Sequence, residues 1–126
     1  MRQRRLAAAL GFMLVATSGC GGEAPRADLG SGSQCPNDLP QSCPSSVPSY
    51  QADIMPLLKR NCTECHSATG IVPNRPLDNY NSVYAQRQGV LTQVYACTMP
   101  PPGSPPVSAA DRQLLLTWLV CKSPNN

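Results

Sequence analysis

The sequence predicts a small all-α domain, and three observations predict it. Apolar residues recur at helical spacing in Ile54, Leu57 and Leu58, in Tyr80, Val83, Tyr84, Leu91, Val94 and Tyr95, and in Leu114, Leu115, Trp118 and Leu119. Helix-start chemistry precedes the first and last of these runs: Asp53 can cap one, and Ser108 with Asp111 forms a capping box ahead of the other. Proline and glycine, fourteen and nine residues, punctuate the remainder as loops.

The chain begins with Arg2, Arg4 and Arg5, followed by an eleven-residue apolar run, Leu6 to Ala16, and then Thr17-Ser18-Gly19-Cys20. That run is too short to span a bilayer and reads as an export signal over residues 1–19. Small residues directly before Cys20 resemble a bacterial lipoprotein signal, with Cys20 as the lipidated first residue of the mature chain. The expected location is the cell envelope, lipid-anchored and facing the periplasm, with Gly21 favouring the outer over the inner membrane. Three of the ten basic residues leave with the signal, so the mature chain balances seven bases against seven acids. The formal +3 therefore belongs to targeting and gives no support to nucleic-acid binding.

Residues 20–49 read as a tether, since Gly21, Gly22, Pro25, Gly30, Gly32, Pro36, Pro40, Pro44 and Pro48 leave no periodic apolar face. A single domain over residues 50–122 follows, with 123–126 as a tail. Its first helix starts near Asp53, and Pro56 falls in the first turn, where a missing N–H breaks no helical bond. Gly70, Pro73 and Pro76 mark an irregular stretch, and Gly89 marks a break between the Tyr80 and Leu91 runs. Trp118 reads as core, because aromatic area stabilises so small a fold.

Chemistry concentrates in Cys62-Thr63-Glu64-Cys65-His66, the Cys-x-x-Cys-His run that attaches a c-type haem. In that reading both thiols add to haem vinyl groups and His66, the sole histidine of the chain, binds one axial face of the iron. A dithiol redox pair would need a helix N-terminus behind it, whereas this motif follows a helix. Zinc would need further ligands, and no second Cys-x-x-Cys or His-x-x-x-His exists. Met99, 33 residues beyond His66, is the candidate distal ligand, its loop stiffened by Pro100, Pro101 and Pro102. Scattered acids and a single histidine give no catalytic constellation, so the chain reads as no enzyme.

Seven cysteines divide into Cys20 for lipid, Cys62 and Cys65 for the cofactor, and Cys35, Cys43, Cys97 and Cys121 for two disulfides in an oxidising compartment. Four cysteines allow three pairings. Short loops favour Cys35 with Cys43 and Cys97 with Cys121.

Asp53-Ile54-Met55-Pro56-Leu57-Leu58, the Cys62 to His66 motif, Met99-Pro100-Pro101 and the Trp118 helix together resemble the small class I c-type cytochromes, in particular the haem domains of bacterial cytochrome-like lipoproteins. The resemblance covers residues 50–122 and implies three to four helices around one covalently bound haem c, with His66 and Met99 as iron ligands. With both axial positions filled, the site itself reads as a monomeric single-haem electron carrier that cycles Fe(III)/Fe(II) and meets redox proteins transiently. Two other readings stand beside it: a haem-dependent enzyme or sensor with an open sixth site, and a non-haem structural lipoprotein.

Overall fold

The computed structural model describes residues 35–126. The expected signal peptide, the lipidation site Cys20 and the first part of the tether lie outside the described residues. Ser49 opens the helical part. Its hydroxyl accepts from Ala52 N while the Asp53 carboxylate accepts from Ser49 N, a reciprocal cap that starts the chain four residues earlier than Asp53 alone would. A π-helical turn, Tyr50–Ile54, runs directly into α1, Met55–Asn61, with Pro56 in the first turn of α1.

Helix α2, Tyr80–Tyr95, is capped by Asn79, whose side chain accepts from Ser82 N. It passes through Gly89 without interruption, which corrects the expected break. Glycine weakens a helix interior by only about 1 kcal/mol relative to alanine, and the buried Val83 and Val94 anchor the helix on either side of it. At the other end Cys97 adopts a left-handed conformation (φ 54°), and Cys97 N, Thr98 N and Met99 N donate to Val94 O, Gln93 O and Gln93 O. This is the helix-ending geometry usually supplied by glycine. Helix α3, Ala109–Val120, is capped by Ser108, which accepts from Asp111 N as the sequence suggested.

Helix α3 packs against both α2 and the π-helical turn. Trp118 is fully buried at the centre of the core, 5.8 Å from the Tyr50 ring and 6.4 Å from the Tyr80 ring. Its Nε1 donates to Pro124 O, and Tyr80 Oη donates to Ser123 O, so the residues after α3 fold back over the aromatic cluster. Ile54, Leu57, Leu58, Leu115, Leu116 and Leu119 complete the interior. Leu116, and not Leu114, is on the fully buried side of α3.

Residues 35–48 do not hang free of this core. Leu39 and Val47 pack against it, and disulfides join Cys35 to Cys97 and Cys43 to Cys121. The pairing Cys35 with Cys43 and Cys97 with Cys121 is therefore corrected. The reason is a long-range ion pair: Asp38 receives Arg112 Nε and Nη2 at 2.8 Å each, which holds residues 35–47 as a strap against the helices. Its ends then meet the C-termini of α2 and α3.

Three α-helices and a π-helical turn give the all-α class. What they close upon is their own side chains and two disulfides, which corrects the expectation of a fold wrapped around one covalently bound haem. No helix among the described residues is long and apolar enough to cross a membrane.

Candidate functional site: an apolar cavity behind the Cys62 to His66 turn

At the end of α1 the backbone continues in tight turns. Cys62 N donates to Leu58 O, and His66 N donates to Cys62 O at 2.9 Å. The following loop closes on this turn, since Val72 N donates to Cys65 O and Leu77 N to His66 O. Gly70 makes that closure possible: a Cβ there would stand 2.3 Å from Cys65 O. The loop also delivers Arg75 O to 3.0 Å from His66 Nδ1. A carbonyl can only accept, so Nδ1 carries a proton, and the tautomer this selects for the neutral ring leaves the lone pair on Nε2.

Behind this turn lies a cavity of about 590 Å³. Val72, Leu77, Val90, Val94 and Leu115 form its apolar wall, and Cys62, Cys65, His66 and Met99 all line it. The structure thus brings together the four residues singled out around the Cys-x-x-Cys-His run. Protein interiors rarely leave gaps larger than a water molecule, and a space of this volume falls within the size range of small-molecule clefts.

Cys62 and Cys65 are the free cysteines among the described residues, both half-buried. Burial, with the neighbouring Cys65 adding to it, pushes the Cys62 thiol up to about 11. A reactive dithiol needs the opposite shift, which disfavours a thiol–disulfide catalyst at this pair.

Gly89 also lines the cavity, and a Cβ built there meets nothing within 4 Å. No protein atom requires glycine at this mid-helix position, although alanine would favour the helix. The residue lowers the wall of α2 toward the cavity. Arg60 and Arg75 stand at the rim; Arg60 is paired with Asp111 at 3.2 Å.

Among the described residues no group of three or more His, Cys, Asp or Glu side chains is placed to hold a metal ion. Four cysteines are committed to disulfides, and Cys62, Cys65 and His66 do not converge as such a donor set. On that finding the resemblance to a small class I c-type cytochrome is corrected, and with it the covalent haem c cofactor and the haem electron carrier. What stands is an all-α domain with two internal disulfides and an apolar cavity to which Met99 adds a thioether.

Sequence reasoning missed Arg112, which is 8% exposed. Its Nη1 donates to Val94 O and its Nη2 to Tyr95 O at 3.1 Å, besides the pair with Asp38. The signal was present: Arg112 precedes Leu115, Leu116 and Leu119 by three, four and seven positions, which puts it on the buried stripe of α3. No protein-family model, no curated protein and no solved structure matches the chain.

Proposed function

We propose that this domain is a binding module of the cell envelope, held to a membrane through Cys20, that seats one largely apolar ligand against Cys62, Cys65, His66 and Met99. The observation that carries the reading is the cavity of about 590 Å³ with an apolar wall, inside the range of small-molecule sites. Gly89 supports it independently, because a glycine mid-helix on a cavity wall gives a ligand close approach to the backbone. His66 Nε2 would accept a hydrogen bond from the ligand, since Arg75 O holds the proton on Nδ1. The protonated Cys62 thiol adds soft, weakly polar surface.

Titration of the full-length protein with the neutral apolar fluorophore N-phenyl-1-naphthylamine is expected to show one saturable site with a blue-shifted emission. Gly89→Leu should keep both disulfides and the helical circular dichroism while weakening binding at least tenfold, because the new side chain enters the cavity. Absence of binding to the wild-type chain would leave a disulfide-stapled structural domain as the reading. A tetrapyrrole found covalently attached to Cys62 and Cys65 in the exported protein would overturn the proposal and restore the electron carrier.

A further inference from the structure

The two disulfides sit in different chemical surroundings. Cys43–Cys121 has one end in the core, since Cys121 is 3% exposed. Cys35 and Cys97 are both exposed, and their disulfide lies beside a buried guanidinium. Arg112 Nη1 is 3.5 Å from Cys97 Sγ, and Nη2 is 3.9 Å from Cys35 Sγ. Asp38 takes Nε and Nη2, leaving Nη1 to Val94 O and to the Cys97 sulfur.

Cys97 is also the hinge between α2 and the loop that carries Met99, Pro101 and Pro105 along the cavity. Its left-handed backbone is one that a residue with a Cβ adopts at an intrinsic disadvantage. The bond to Cys35 is the one covalent tie between the strap and this hinge.

We infer that Cys35–Cys97 is a thiol-exchange site, opened selectively by a dithiol reductant of the cell envelope, and that its opening releases the Met99 loop from the strap. In the first step a donor thiolate attacks Cys35 Sγ. A new sulfur–sulfur bond forms, the Cys35–Cys97 bond breaks, and the electron pair leaves on Cys97 Sγ beside Arg112 Nη1, which stabilises the thiolate; solvent protonates it afterwards. A leaving thiol whose anion is stabilised departs faster. The second donor thiol then attacks the mixed disulfide and releases Cys35. The donor ends as a disulfide and the domain as a dithiol, a transfer of two electrons. This chemistry stands apart from the ligand-binding reading, because its geometry involves the strap and not the cavity contents.

The test treats the full-length folded protein with graded reduced glutathione, quenches with N-ethylmaleimide and maps the labelled peptides. Cys35 and Cys97 are expected to be labelled at least tenfold faster than Cys43 and Cys121, with the trapped glutathione adduct on Cys35. Simultaneous opening of both disulfides, or earlier opening of Cys43–Cys121, overturns the selective site. An adduct carried mainly by Cys97 overturns the assigned leaving group. Amide hydrogen exchange of the selectively opened protein then reads the loop directly. Thr98 and Met99 should lose protection at least tenfold while the Leu115 to Leu119 amides keep theirs, and unchanged protection at Met99 overturns the release. None of these readouts depends on ligand binding, so failure of the cavity reading leaves this result distinguishable.

Discussion

At position 70 a single hydrogen in place of a methyl group decides whether the Cys62 to His66 turn can close. A Cβ there would approach Cys65 O to 2.3 Å, Cys65 C to 2.7 Å and Glu64 O to 2.8 Å. All three are backbone atoms, so no side chain can rotate out of the way. Gly70→Ala is expected to destabilise the domain by about 2 kcal/mol or more, the range of overpacking against fixed structure, and to weaken fluorophore binding because His66 is displaced from Arg75 O. Urea denaturation checks the first effect and titration the second; an unchanged midpoint would show that the loop rearranges freely. The sequence displayed the chemistry of this site plainly, since Cys62, Cys65 and His66 are consecutive in one motif and Met99 stands out beside its prolines. It did not display what those groups face. The cavity wall comes from all three α-helices and two loops, and neither Gly89 as a gap nor Gly70 as a close approach can be told from an ordinary loop or helix-breaking glycine by local pattern.

Among the elements, the helices were largely legible and the strap was not. Local rules suffice for a capping residue followed by a periodic apolar stripe, and Ser108 with α3 follows them. Residues 35–47 have no such pattern, because their order is imposed from a distance by Arg112 and by two cysteine partners far along the chain. Proline and glycine content there reads as a free tether only while those partners are unknown. The ion pair makes this order sensitive to acid. The Arg112 hydrogen bond is the main cause holding the Asp38 carboxyl below its ordinary value, with Coulomb attraction from the same guanidinium adding to it and burial opposing it. The unfolded chain takes up this proton near pH 4, whereas the folded chain resists until lower pH. Stability from the pair is therefore fully present above about pH 4 and is lost as pH falls through the lower folded value. Asp38→Asn is expected to cost about 2 kcal/mol at pH 7, by leaving a buried guanidinium without its carboxylate, and to flatten the acid limb of stability relative to wild type. Urea midpoints measured from pH 7 to pH 2.5 compare the two chains; parallel curves would remove Asp38 from the account.

For the molecule as a whole, the order of the disulfides matters more than their number. Cys35 pairs with Cys97 and Cys43 with Cys121, so the two loops interleave and share the chain between residues 43 and 97. The pairing expected from the sequence would have closed two separate short loops, one in a tether and one around α3, and would have left the strap unconnected to the helices. Interleaving instead confines nearly the whole described chain in the unfolded state. The separation of 78 residues for Cys43–Cys121 corresponds to about 4.5 kcal/mol of chain entropy. With Cys35–Cys97 closed, the effective loop shortens to roughly 30 residues and the contribution falls only slightly. That is a large share of the 5–15 kcal/mol typical of small domains. Replacing Cys43 and Cys121 together by Ala is expected to lower the unfolding free energy by roughly 3–4 kcal/mol and to steepen the urea dependence, since a less confined denatured chain exposes more surface. Trp118, the single tryptophan and fully buried, reports the transition by fluorescence. A loss below about 1 kcal/mol would mean that packing of Leu39 and Val47, together with the Asp38 pair, holds the strap without the second bond, and the stapled description of the fold would then rest on Cys35–Cys97 alone.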